Sequence, residues 1–433
     1  MSDKPTGQSP DAPGNQTAAR TPITVLRHRD FAIYWYGSVL SQVGTQFTTV
    51  TMAWQIYELT NSPLQLGMLG LARGAPMLIL LLFGGLLADS VNRRRLMMAT
   101  QIGQMTVSIS LVALTLMGRV SAPILYTASL FLALFSALER PARTAIIPNI
   151  VPRDELSNAL ALSGTQRQVG NIVGPSLAGL LLASHGPALC YTVDALSWLG
   201  MLGALAMMKP LAQTVARGAM SMRALREGVE FVWAHPVILA MMALDFGQNF
   251  FGNTRALLPI YARDILNVGP QGLGLLYTAT SVGALAMAMV MSVRKPVERP
   301  GVWVLLAVGV FGIFTTLFAI SRFFWLSFLM LAATGAANTV SFVLRNTINQ
   351  LVTPDELRGR VTSVNSMFTN TGPQLGQFEA GAVASVIGPV ASTALGGLLV
   401  TAIAASLAAA SSVRSFEVSE NDPARTKELP AGA

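Results

Sequence analysis

Apolar stretches of helix length follow one another along most of the chain, separated by short breaks rich in Pro, Gly, Asn and charge. Crossing the hydrocarbon core of a bilayer takes about 20 consecutive apolar residues in a helix. That spacing predicts spans at 31–57, 64–88, 95–117, 122–142, 157–183, 187–208, 236–261, 271–293, 301–320, 323–348, 359–385 and 388–411. The class is therefore an all-α membrane protein with twelve transmembrane helices. Six spans precede and six follow a polar central loop at 209–235, so two six-helix bundles are expected, at 27–208 and 236–411. The flanking tails, 1–26 and 412–433, lack an apolar core and read as disordered; the first is no signal peptide.

The pattern occurs twice. At an offset of 202 residues Arg143 returns as Arg345, Pro152 as Pro354, Ala178-Gly179 as Ala380-Gly381 and Gly186-Pro187 as Gly388-Pro389. Asp154-Glu155-Leu156 returns as Asp355-Glu356-Leu357, one residue out of register. Earlier in each half the offset is 207, relating Pro63, Leu66, Gly67 and Leu69 to Pro270, Leu273, Gly274 and Leu276. Two like-oriented repeats in one membrane chain predict a secondary transporter in which one half rocks against the other.

Composition agrees with the membrane reading: 52% of residues are hydrophobic and 12% charged, where a soluble domain carries about a quarter charged. One cysteine, Cys190, excludes an internal disulfide, and three scattered histidines leave no metal or cofactor constellation. No phosphate-cradling Gly-x4-Gly-Lys string occurs, so ATP hydrolysis by this chain is not expected. The net charge of +8 is a matter of topology: 23 of the 29 basic residues fall on the side of the amino terminus. That bias places both tails and the central loop in the cytoplasm and removes nucleic acid from the partners considered.

Charged groups inside the hydrocarbon cost about 2.5–3.5 kcal/mol each on insertion scales, so they mark function or pairing. Arg73, Arg167 and Asp245 fall near mid-depth, with Asp194, Arg255 and Glu379 nearer the periplasmic side. Asp245, Asn249 and Asn253 repeat every four residues and make one polar stripe; Gln42 and Gln46 belong to a matching stripe in the first span. Asp245 is the first candidate for a proton-coupling or substrate-contacting carboxylate and Glu379 the second. The rival reading is a static ion pair, for example Asp245 with Arg167. Asp194 and Arg255 read more simply as helix-end or snorkelling residues, and Phe246, Phe250 and Phe251 as packing residues or an aromatic wall.

Two motifs carry a family resemblance. Gly85 and Asp89, followed by Arg93, Arg94 and Arg95, resemble the cytoplasmic signature loop of the major facilitator superfamily, which implies a latch between halves. Gly170, Gly174, Pro175 and Gly179 in the fifth span are similar to the packing and hinge motif of that superfamily's drug–proton antiporters. Arg29-Asp30-Phe31, LQLGMLG at 64–70, GLGLL at 272–276 and TPDELRGR at 353–360 resemble the branch of bacterial siderophore exporters of the enterobactin type.

The resemblance implies the major facilitator fold and a proton-coupled efflux antiporter of the bacterial inner membrane. It would export a small amphipathic molecule, a siderophore or a drug, by alternating access. Expected partners are that substrate, protons and the lipid bilayer, with a monomer sufficing and no cofactor or metal. Proton-coupled or facilitative uptake is the rival within transport. A membrane-embedded enzyme is the rival from another class, and it lacks a cluster of acids or histidines at one membrane face.

Overall fold

The computed structural model describes residues 22–88, 92–208, 222–294 and 297–409, and every regular element among them is helical. The first half contains α1 (Arg29–Thr60), α2 (Pro63–Ala88), α3 (Arg93–Leu116) and α4 (Ala122–Ile150). Leu156–Met207 is continuous by hydrogen bonding, but Gly186 (φ 76°) divides it into α5 (156–185) and α6 (187–207). After α7 (Met222–Ala234) the second half contains α8 (Pro236–Phe250), α9 (Gly269–Val293), α10 (Pro300–Ile320), α11 (Phe324–Val352), α12 (Asp355–Ile387) and α13 (Pro389–Ala409). With α7 set aside, this is the twelve-helix count of the expected fold.

The helix breaks follow from local chemistry. Gly186 and Gly388, repeat-related, both take a positive φ (76° and 87°) and each precedes a proline, so one sequence device turns the chain twice. Asn61 ends α1 in the left-handed region. Asn92 starts α3, its side-chain oxygen accepting from the Arg94 and Arg95 amides. The helix α8 stops at Phe250, and the same crossing resumes through a 3-10 turn and a π-helical turn, Tyr261–Ile265. Asn253 holds this interruption by donating to the Pro373 carbonyl (2.7 Å) and accepting from the Arg255 amide (3.2 Å). Broken helices in transporters lie where backbone lines an interior site.

The central segment differs from a plain loop. The helix α7 meets α8 at 103° and buries Val232 against Ile238 and Met242 of α8 and Val361 and Val364 of α12. An ion pair between Glu227 and Arg360 fastens it. The end of the molecule bearing α7 is the linker end; the opposite end, bearing the α1–α2 turn, is the far end.

The halves meet along two pairs of helices, α2 with α12 and α5 with α9. Contact is close because glycine faces glycine. A Cβ at Gly381 would lie 2.6 Å from the Gly67 Cα, and one at Gly179 would lie 2.9 Å from the Gly274 Cα. Gly67 is the repeat partner of Gly274, and Gly179 that of Gly381, so the two crossings are one contact used twice.

Candidate functional site

Among the described residues, each half holds an arginine–carboxylate pair whose acid is buried. In the first, Arg143 of α4 bonds Glu139 one turn earlier (2.8 Å), and Gln101 and Gln104 of α3 donate to the same carboxylate (2.9 and 3.1 Å). In the second, Arg345 of α11 bonds Asp245 of α8 (2.6 Å), whose oxygens also accept from Asn249 (3.0 Å) and Thr369 (2.9 Å). Arg143 and Arg345 are repeat partners, yet their carboxylates come from different positions: Ser341 stands where Glu139 would recur, and Ser38 where Asp245 would. The carboxylate has changed helices while the ion pair has stayed.

This geometry corrects the sequence reading at three points. The partner of Asp245 is Arg345 and not Arg167. Arg143 and Arg345, two of the 23 basic residues counted toward topology, lie inside α4 and α11 and pair with acids there, and Arg345 is 4% exposed. Asp194 is neither capping nor snorkelling, because at 1% exposure it lies within the first bundle. The Arg143/Arg345 repeat was the available signal for the two pairs; Glu139 was missed because it adjoins basic residues that resemble a loop.

The polar stripes sit at helix crossings. The side chains of Gln42 and Gln46 lie over Gly170 and Gly174 of α5, where a Cβ would come within 2.5 and 2.6 Å of them, and Gln46 donates to Asn171 (3.0 Å). In the second half Gly372 of α12 meets the Asn249 side chain, 3.4 Å from where its Cβ would be, and Gly376 meets the Asn249 backbone carbonyl, 2.4 Å from its own. Pro175 is buried, and its carbonyl would lie 2.3 Å from a Cβ at Gly274. The first two glycines of the α5 motif thus receive α1, and Gly179 receives the other half.

Other candidates are dispersed. Arg73 donates to Ser129 (3.0 Å) within the first half. Glu379 is half-buried, and no ion pair reaches it among the described residues. Arg94 donates to the Ala206 carbonyl at the end of α6 (3.0 Å), a favourable place for a cation. Arg93 begins α3. Gly85 belongs to α2, its surroundings outside the described residues, as is Asp89 altogether.

The hydrogen bonds that join the halves run from the far rim to mid-depth. At the rim Tyr57 bonds Asp264, Arg263 donates to Asn61 (2.9 Å), and the Arg263 guanidinium stands 5.5 Å over the Tyr57 ring. Lower lie Ser176 with Thr278 (2.8 Å), Gln168 with the Ser281 carbonyl (2.8 Å), and Arg140 with Asn370 (2.7 Å). Arg140 and Arg167 are exposed neighbours, and no carboxylate pairs with either among the described residues. Across from them Phe246 stacks on Phe250 (5.1 Å between ring centres) and meets Phe368 edge-on (6.1 Å).

The family described as transmembrane secretion effector matches residues 20–431. The enterobactin exporter EntS of Escherichia coli O1:K1 / APEC is 27% identical over 374 residues, covering 86% of this chain and 89% of that protein. The protein of the same name from Shigella boydii serotype 18 is 27% identical over 373 residues, with the same coverage. Among solved structures, a bacterial homolog to the human lysosomal transporter Spinster, inward-facing and occupied, aligns with a TM-score of 0.71 at 15% identity. It covers 91% of this chain and 99% of that one. A peptide transporter aligns with a TM-score of 0.69 at 12% identity, covering 93% of this chain and all of the other.

Proposed function

The chain belongs to the transmembrane secretion effector family of the major facilitator superfamily and is a membrane transporter; from that premise we propose that it exports a small amphipathic, anionic or polyhydroxylated aromatic molecule in exchange for protons. The proposed setting is the bacterial inner membrane, with the linker end in the cytoplasm. Siderophores of the catecholate kind fit this description, as does a drug of similar polarity.

One observation carries the reading: among the described residues two neighbouring arginines within spans, Arg140 and Arg167, have no carboxylate partner, and Arg140 reaches across to Asn370 of α12, two residues from the Phe368 that meets Phe246. Unpaired intramembrane cations are costly unless they meet an anionic ligand or water, whereas Arg345 has its own neutralising acid. A guanidinium offers paired donors to a carboxylate or catecholate, and an aromatic wall takes the ring. The closed far rim and the mid-depth limit of the joining bonds suit a conformation receptive from the linker end. Alternating access then requires the rim to part and the halves to rock about the two glycine crossings.

The experiment is transport into inverted inner-membrane vesicles with enterobactin as the probe. An acid-inside pH gradient drives accumulation, and Arg167→Gln lowers the initial rate by about tenfold, the equivalent of one charge-assisted hydrogen bond. Accumulation indifferent to the vesicle protein, or probe moving only outward from loaded vesicles, sinks the export reading.

A further inference from the structure

Asp194 is a fully buried carboxyl that the transport reading above does not use. It lies on α6, roughly 10 Å from the far end of that helix. The groups packed on it are neutral: Gly44 and Thr48 from α1, Ser108 from α3, and Ser197 and Trp198 from α6 itself. The other titratable groups nearby are Cys190 and Tyr191. The nearest ionic pair is Glu139 with Arg143, reached only through Gln104. No basic side chain pairs with Asp194 among the described residues.

Its burial and its sparse donors favour the neutral form. The Ser108 hydroxyl is 3.1 Å from the Gln104 carbonyl and 2.6 Å from Asp194 Oδ2, and it owns one proton. An ionised Asp194 could draw that proton, since the Gln104 carbonyl already accepts the Ser108 amide within α3, but its two donors would both lie on Oδ2 and leave Oδ1 without one. A protonated Asp194 donates to Ser108, Ser108 donates to Gln104, and Thr48 donates to the carboxyl (2.7 Å), so the three contacts of Oδ2 are met while Oδ1 has no partner. An isolated carboxylate in such a place would have no compensation for lost hydration.

We infer that Asp194 binds the transported proton: it takes it from the far side when α1 withdraws and holds it as a neutral acid in this conformation, before release toward the linker end. The inference rests on the proton-exchange reading and assigns its proton. Withdrawal has a mechanical cause. The helix α1 is pressed on α6 so tightly that a Cβ at Gly44 would fall 2.0 Å from Ser197 Oγ, which excludes water. Thirteen residues further along α1, Tyr57 makes the rim contact to Asp264. Parting the rim frees the end of the helix that seals Asp194, opening the acid to the far side. Toward the linker end Ser108 meets the backbone carbonyl of Gln104, whose side-chain amide bonds Glu139, so release to that side requires entering water and not a hydrogen-bonded relay.

The test uses the full-length protein in lipid vesicles. Infrared spectra at neutral pH are expected to show the carbonyl stretch of a protonated carboxylic acid, with a component that disappears in Asp194→Asn and shifts in frequency in Ser108→Ala. A spectrum that neither substitution changes overturns the assignment, and the Ser108 variant keeps the test decisive if the Asn variant folds poorly. With enterobactin as the transport probe, Asp194→Asn retains exchange without a gradient and loses at least tenfold of gradient-driven transport. A wild-type protein that ignores the gradient overturns proton exchange and the carrier role with it. A coupled wild type alongside a fully coupled Asp194→Asn overturns the assignment to Asp194 alone.

Discussion

Tyr57 and Asp264 hold the same position in the two halves of the chain, 207 residues apart, and their side chains bond to each other where the halves close the far rim. A contact between repeat partners lies on the pseudo-two-fold axis, so it senses any rocking of one half against the other. Asp264 also adjoins Arg263, whose guanidinium covers the Tyr57 ring. A hydroxyl-to-carboxylate bond contributes about 1.5–3 kcal/mol. Tyr57→Phe is therefore expected to shift the resting population toward a rim-open state by roughly 10- to 100-fold. Spin labels at Leu59 and Asn267, both exposed, read this as a longer inter-half distance in the variant. An unchanged distance distribution would show that the rim is held by the glycine crossings instead.

Those crossings make the second expectation. At Gly274 a Cβ would lie 2.3 Å from the Pro175 carbonyl, and at Gly179 one would lie 2.5 Å from the Pro270 carbonyl, both backbone atoms with little room to retreat. Gly274→Ala and Gly179→Ala should each destabilise the closed seam by about 1–3 kcal/mol. Gly203→Ala, whose Cβ meets nothing within 4 Å, should be neutral or slightly stabilising because alanine favours helix. Thermal unfolding in one detergent ranks the three, and equal shifts would remove the close-packing argument.

The sequence made the crossings legible because a repeat written in glycine has few other uses at helix-length spacing. It showed where Gly67, Gly179, Gly274 and Gly381 recur, and the structure shows that the recurrence is the interface between halves. The polar stripes were legible as stripes, but not what they touch: Gln46 and Asn253 reach across to α5 and α12, contacts that no local period encodes. Arg345 was hidden because a basic residue near a predicted helix end reads as an anchor. The actual helix, Phe324–Val352, runs past it. Asp194 was misjudged for a related reason. Distance from a helix end gives depth along the axis, and says nothing about whether the side chain points outward or into the bundle.

The Asp245–Arg345 pair carries a stability expectation with a sign. Both side chains are under 10% exposed, so removing one partner leaves a buried charge without compensation. Asp245→Ala is expected to cost about 3–5 kcal/mol, whereas Asp245→Ala combined with Arg345→Met should cost less than either single change. A double-mutant cycle by unfolding in mixed micelles reads the coupling. Additive losses would mean that the pair is already screened by water entering beside Asn346 and Asn349, which line the small cavity next to it.

Pseudo-symmetry also says how that pair could be rebuilt. In the first half the acid is one turn before its arginine, Glu139 to Arg143, and in the second the corresponding residue is Ser341, fully buried with its hydroxyl unpartnered. Combining Asp245→Ser with Ser341→Glu moves the acid of the second half to the position it has in the first. Repeat partners share a backbone course, so the new carboxylate should reach Arg345 at i,i+4 spacing, and removal of Asp245 vacates part of the space it needs. The combined variant is expected to recover at least half of the stability lost by Asp245→Ser alone, read as the midpoint of thermal unfolding. Transport separates the two functions of the pair. If Asp245 serves only to neutralise Arg345, gradient-driven movement of enterobactin returns with stability; if the α8 carboxylate itself meets substrate, the fold recovers while transport stays impaired. A combined variant less stable than Asp245→Ser would mean that the halves are equivalent in chain path and not in the space around it.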